Sequence, residues 1–187
     1  MVLIESTTSS KLTYQDLTHL EVEENELYEL IDGKLMKRAS PSTAHQRMIR
    51  KLMSKLDTYV TEKELGELFF APYDVVLDKY NMVQPNLLFV SKANQKIIKE
   101  THVEGVPDLI VEVLSPSSIP RDRDIKMKLY ARFKVPEYWI VDPVTHCFEV
   151  YVLTKQKDYR LHAYAYEEGD LHSTVIKDLV LEIKELH

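Results

Sequence analysis

A chain of 187 residues with 44% hydrophobic and 29% charged content has the composition of an ordinary folded domain, long enough to bury one sizeable core. Its net charge of −6, from 24 basic and 30 acidic residues, argues against a protein that coats nucleic acid nonspecifically. It does not exclude a nuclease, whose metal-binding acids add to the negative count. The single cysteine, Cys147, leaves no intrachain disulfide and no cysteine cluster for zinc. The four glycines, at positions 33, 66, 105 and 169, leave no phosphate-cradling loop of GxGxxG or GxxxxGK form. HExxH and a serine nucleophile elbow are also absent. No apolar run approaches a membrane span, and the opening residues lack the basic-then-apolar layout of a signal peptide, so a cytoplasmic protein is expected.

Residues 1–12 are polar and unpatterned and are expected to form a flexible tail ahead of a single domain over 13–187. "LYELIDGKLMKR" sets Asp32-Gly33 between two short alternating runs, the strongest short-range hairpin signal. "SPSTAHQRMIRKLMSKLDTYV" follows, with Met48, Ile49, Leu52, Met53, Leu56 and Tyr59/Val60 at helical spacing and Ser42 or Thr43 as cap. "LFFAPYDVVLD" and "MVQPNLLFVS" read as strands joined by the polar turn Asp78-Lys79-Tyr80-Asn81, and "KANQKIIKETHVEG" as a short helix or loop closed by Gly105. "PDLIVEVLS" is the most apolar strand, hence the expected central one. "RDRDIKMKLYARFKV" carries Ile125, Leu129 and Phe133 on one face and reads as a helix after the Pro120 break. "EYWIVD" and "CFEVYVL" are strands split by Asp142-Pro143, with further short strands in "YRLHAYAY" and the C-terminal segment. This order implies an α/β or mixed α+β domain built on a mixed β-sheet flanked by helices.

The central strand holds two acids, and a carboxylate is costly to bury unless something pairs with it or coordinates to it. Strand alternation points Asp108, Ile110, Glu112 and Leu114 one way and Leu109, Val111 and Val113 the other. Asp108 and Glu112 stand roughly 13 Å apart along the strand, too far to grip one ion together. A partner for Glu112 must come from a neighbouring strand, and "VQPNLLFV" offers Asn86 after a proline. Lys126 lies beside the apolar stripe of its helix, from where it can reach inward to Glu112. Acids with a lysine are a minimal kit for phosphodiester hydrolysis: a held divalent metal polarises the phosphate and acidifies a water, and the lysine orients that water or stabilises charge.

With these segments the chain resembles the large bacterial Uma-two family of putative restriction endonucleases, a branch of the PD-(D/E)XK nuclease superfamily. The resemblance spans roughly residues 20 to 180 and is carried by "YELIDGKL", "SPSTAHQ", "APYDVVLD", "VQPNLLFVS", "PDLIVEVLSPSS", "RDRDIKMKLYARFKVPEYWIVDP" and "FEVYVL". It implies a restriction-endonuclease-like core, cleavage of DNA with Mg²⁺ or Mn²⁺, and a homodimer. Carried over position by position, Glu112 matches the acid of the (D/E)XK element. Leu114 stands where the lysine of that element belongs, and Lys126 matches the helical lysine that replaces it. The first acid belongs in "QPN", where this chain has Asn86 instead of aspartate; Asp74 and Asp108 are the acids to examine for the missing charge. The implied metal shell is Glu112, the Val113 carbonyl and position 86. Glu29, His45 and Asp108 match recurrent family positions without assigned roles.

Each residue also has a plainer reading. Glu112 can be a strand acid neutralised by Arg123 or Lys126, and Asp108, after Pro107, a loop or capping residue. By itself Lys126 is one more solvated lysine in a helix with Arg121, Arg123, Lys128, Arg132 and Lys134. His45 alone suits a helix-start hydrogen bond, and Glu29 an exposed hairpin face. Ser115, Ser117 and Ser118 shape a turn, although their hydroxyls are able to touch a phosphate. Nucleic acid is expected to meet local basic surface at Arg47/Arg50/Lys51 and Arg121/Arg123/Lys128. Three hypotheses follow: a metal-dependent DNA endonuclease impaired by Asn86, a catalytically inactive nuclease-fold accessory homodimer, and a structural homodimer whose acids only form ion pairs.

Overall fold

The structure, a computed structural model, describes residues 11–17, 19 and 26–186. Of the expected tail, residues 1–10 lie outside the described residues, while the Leu12 N–H donates to the Gly33 carbonyl at 3.0 Å. A one-turn helix, α1 (Tyr14–Leu17), follows it. Asp32-Gly33 closes the first hairpin, β1 (Tyr28–Ile31) to β2 (Lys34–Lys37), as expected. Both turn residues take positive φ, 52° and 77°, the backbone that matches the twist of paired strands.

Two prolines decide what the middle of the chain does. "LFFAPYDVVLD" is two strands rather than one, β3 (Gly66–Phe70) and β4 (Asp74–Asp78), separated around Pro72. "MVQPNLLFVS" likewise divides into β5 (Asn81–Val83) and β6 (Leu87–Ser91) around Pro85. Proline has no N–H to donate to a ladder, so each is a natural exit point. The chain uses both to change sheets. β4 and β5, with β7 (His102–Glu104) inside a segment expected as helix or loop, join the hairpin in a five-stranded sheet of order β2-β1-β5-β4-β7.

The remaining long strands are β8 (Leu109–Val113), β9 (Glu137–Asp142), β10 (Cys147–Leu153) and β11 (Tyr159–Tyr166). With β3 and β6 they make a six-stranded sheet of order β11-β10-β9-β8-β6-β3. It is mixed: β8 and β9 are parallel and the other pairs antiparallel. β8, buried at every position, lies inside it as its apolar composition implies. β12 (Asp170–His172) and β13 (Val180–Glu182) pair as a separate small hairpin.

Helices cover both faces of this sheet. α2 (Thr43–Glu62), capped by the Ser42 side chain, lays Met48, Leu52, Leu56 and Val60 on Leu87, Phe89, Leu109, Val111 and Val113. On the other face a π-helical turn, Arg121–Lys126, runs into α3 (Met127–Phe133). There Leu129 and Tyr130 meet Ile110, Leu114 and Ile140, together with Ile31, Val75 and Val83 of the five-stranded sheet. The mixed α+β class expected from the element order is the one observed. The strands are shared between two main sheets because the prolines redirect the chain.

Candidate functional site

At one end of the six-stranded sheet β3 and β8 finish where β6 begins, with Phe70 opposite Leu87 and Leu87 opposite Val111. Beyond that point the ladder stops, and Asn86 ties the loose ends together. Its carbonyl accepts from Ala71 N–H at 3.2 Å, and its side-chain Oδ1 accepts from Val113 N–H at 2.8 Å. The strands therefore part around a cleft of about 210 Å³, lined among others by Asn86, Glu112, Val113, His45, Arg38, Arg121 and Asp122.

Under the cleft floor lies a buried ion cluster. Asp122, Lys126 and Tyr130, at i, i+4, i+8, all turn inward from the helical segment and are 2%, 1% and 0% exposed. Lys126 Nζ donates to Glu112 Oε1 at 2.7 Å and to Glu29 Oε1 at 2.6 Å. The Tyr130 hydroxyl donates to the same Glu112 oxygen at 2.9 Å, and Gln84 N–H donates to Glu29 Oε1 at 3.0 Å. Arg121 Nε stands 3.8 Å from Glu29 Oε2 and 3.7 Å from Asp122 Oδ1. Those three atoms, buried, have no hydrogen-bond partner. Three acids thus face two cations in a largely buried setting.

The charges shift one another. Burial raises the pKa of Glu29, but Lys126, Arg38 and Arg121 outweigh it and hold the carboxyl below its ordinary value. Lys126, which burial lowers, is held above its usual range by Glu112, Glu29 and Asp122. Asp122 goes the other way: burial, then the Glu112 charge, push it up to about 6 against the pull of Lys126 and Arg121. Burial pushes Tyr130 well above the usual phenol range, and Glu112 adds to this, so it is a neutral donor. Burial lowers His45 despite the Val113 carbonyl, and its Nδ1 has no hydrogen-bond partner.

Of the residues singled out from sequence, Asn86, Glu112, Val113 and His45 line the cleft, while Lys126 and Glu29 lie in the cluster below. Glu29 is wholly buried rather than on an exposed hairpin face. Asp108 lies apart: its Oδ2 accepts from Ser91 N–H at 2.8 Å and Asn94 Nδ2 at 3.1 Å, fastening β6 to the 3-10 turn after it. Asp74 is bound to Gln84 and Tyr14 instead of facing the cleft. Asp122, Tyr130 and Arg38 were not anticipated; the i, i+4, i+8 spacing of Asp122, Lys126 and Tyr130 was the available signal. The expected basic patch at Arg121/Arg123/Lys128 is not free, because Arg123 pairs with Glu149 at 2.7 Å, Lys128 with Asp124 at 2.5 Å, and Arg121 turns inward. Arg47 and Arg50 are exposed as expected.

Among the described residues, no group of three His, Cys, Asp or Glu side chains is arranged to hold a metal ion. The donors at the cleft suit a lightly held hard cation: Mg²⁺ uses one or two carboxylates and completes its shell with water and substrate oxygens. Glu112, the Val113 carbonyl and the buried, unpartnered Asp122 Oδ1 are oxygens of that kind.

A family profile described as "Putative restriction endonuclease", Uma2, matches residues 14–184. The fold is similar to that of a solved protein from Anabaena variabilis described as a putative nuclease belonging to DUF820. The TM-score is 0.73 at 16% sequence identity, covering 94% of this chain and 97% of that one. No curated protein matches the chain. No helix among the described residues is long and apolar enough to cross a membrane.

Proposed function

The chain belongs to the Uma2 family of putative restriction endonucleases, and from that membership we propose that it is a metal-dependent endonuclease hydrolysing phosphodiester bonds in DNA. The observation that carries this reading is the meeting of Glu112, Asn86 and the Val113 backbone at one cleft, above a buried lysine that holds Glu112. In this proposal Glu112, the Val113 carbonyl and position 86 hold Mg²⁺ or Mn²⁺. The metal, when bound, supplies a Lewis acid for the scissile phosphate and an acidified water.

The protein's own groups prepare the site. Lys126 does not line the cleft, so it acts through Glu112, fixing the carboxylate's direction and offsetting its charge. Its raised proton affinity keeps it an ammonium, which disfavours a role as base. Tyr130, a neutral donor, fixes the same oxygen from a second direction. Arg38 and Arg121, both lining the cleft, offer positive charge to a phosphate. A homodimer acting in the cytoplasm belongs to the same proposal, with sedimentation as the measure of assembly.

A second reading, a nuclease-fold accessory module without catalysis, is favoured by one observation. Asn86 brings no charge, and its Oδ1 is engaged by Val113 N–H. Cleavage of plasmid DNA in Mg²⁺ and in Mn²⁺, beside a Glu112→Ala control, separates the two. Metal-dependent cutting lost in the control is the expected result. Cutting that persists in Glu112→Ala, or none with either metal, would sink the catalytic reading.

A further inference from the structure

One wall of the cleft is apolar and open. β3 alternates its two phenylalanines: Phe69 stacks on Tyr73, ring centroids 4.8 Å apart at 18°, while Phe70 emerges on the opposite face with 57% of its surface exposed. Phe70 lines the same cleft as Glu112, beside the exposed Leu27 and Pro72. An aromatic ring held half in water at the mouth of a charged cleft is costly to keep unless something covers it. Arg38 and Arg121 line the same cleft. Flat apolar surface beside guanidinium groups matches a nucleotide, whose base offers a π-face and whose phosphate carries charge.

Resting on the phosphodiesterase reading above, we infer that the strand this cleft accepts is an unpaired one, with a base stacked on Phe70 while the adjoining phosphate enters between Arg38 and Arg121. Two observations favour an unpaired strand over a duplex. Glu112 is 2% exposed and lines a cleft of only about 210 Å³, a recess that a flexible strand can enter more readily than the convex face of a rigid helix. A base inside a duplex has its π-faces covered by its neighbours, so Phe70 can meet one only where the strand is single or a base is flipped out. The charge distribution agrees. A net charge of −6, with Arg123 and Lys128 held in ion pairs, leaves little of the extended basic surface that duplex binding uses.

The test measures binding without cleavage, using the intact protein in chelator at low salt. Fluorescence anisotropy compares labelled oligothymidylate, oligouridylate and a hairpin duplex of equal length; the two oligonucleotides distinguish unpaired DNA from unpaired RNA. The expected result is at least about tenfold tighter binding of one or both single strands than of the duplex. Phe70→Ala should weaken single-strand binding about tenfold, the effect of one lost base–aromatic stack, and leave the duplex unchanged. Phe70→Trp should retain the affinity, and its emission should be quenched by the oligonucleotide; the native Trp139 is fully buried and gives no such signal. Duplex binding as tight as single-strand binding, indifference to Phe70→Ala, or no binding of any strand overturns the inference. Single-strand preference without metal-dependent cleavage overturns the endonuclease reading alone, whereas cleavage and binding confined to duplex overturn this inference alone.

Discussion

Asp122 is the acid whose sequence context revealed least and whose surroundings say most. Its folded pKa of about 6 stands above the ordinary 3.8, so the folded chain holds this proton more tightly than the unfolded one. The stability from that proton is complete below about pH 4 and is lost as pH rises through about 6. At neutral pH the ionised group costs up to about 3 kcal/mol. Asp122→Asn, which imitates the protonated form, should therefore melt with wild type near pH 4 and higher than wild type near pH 8. Parallel melting curves across that range would remove the titration. Position 86 makes a second test. Aspartate there can still accept the Val113 N–H that Asn86 Oδ1 now takes, so the fold should tolerate it. The added charge should raise Mn²⁺ affinity by about two orders of magnitude, a few kcal/mol at a partly buried site. Calorimetry reads the affinity and plasmid cleavage the gain. A wild type that already cuts well, unchanged by Asn86→Asp, would take position 86 out of the metal shell. Neither Asp74 nor Asp108 lines the cleft, whereas Asp122 does.

Between elements, the firmest polar tie outside the cleft is Glu137, which opens β9. Its buried carboxylate accepts from Trp139 Nε1 at 2.7 Å, Ser173 Oγ at 2.7 Å, and Thr174 N–H and Oγ1 at 2.6 Å each. Four neutral donors fix the link between β12 and β13, whose Ile176 and Leu179 complete the core on the α2 side. Glu137→Gln keeps the shape but turns an amide N–H₂ towards these donors, at a cost of roughly 2–4 kcal/mol. Denaturant unfolding should show that loss, and amide exchange should quicken over 170–182. A glutamine variant as stable as wild type would show that fewer of these bonds matter. From sequence, Glu137 was merely the first letter of "EYWIVD". Apart from Trp139, its partners lie more than thirty residues downstream and share no period with it. The Asp32-Gly33 turn and the α2 stripe were legible because their signals are local. The strand breaks at Pro72 and Pro85 were not read, nor was the change of sheet they permit.

Over the whole molecule, charge limits how the protein can meet a polyanion. At net −6, attraction must come from a few cations, chiefly Arg38 and Arg121 at the cleft and the exposed Arg47 and Arg50. About four phosphate contacts on a single strand imply a slope near −3 in a plot of log affinity against log salt. Anisotropy titrations over salt measure it; an affinity indifferent to salt would count against nucleic acid as ligand. The sequence by itself determined the mixed α+β class, the first hairpin, the long capped helix and the buried central strand with an acid, Glu112, inside it. Each rests on local periodicity, or on the cost of an acid in an apolar run. Tertiary structure alone decided that Lys126, read as able to reach Glu112, is also held by Glu29, that Asp108 is fastened elsewhere, and that Asp122 faces the cleft. Whether a charge is solvated or buried depends on the groups that surround it, and these come from strands and helices as far apart in the chain as Glu29 and Lys126.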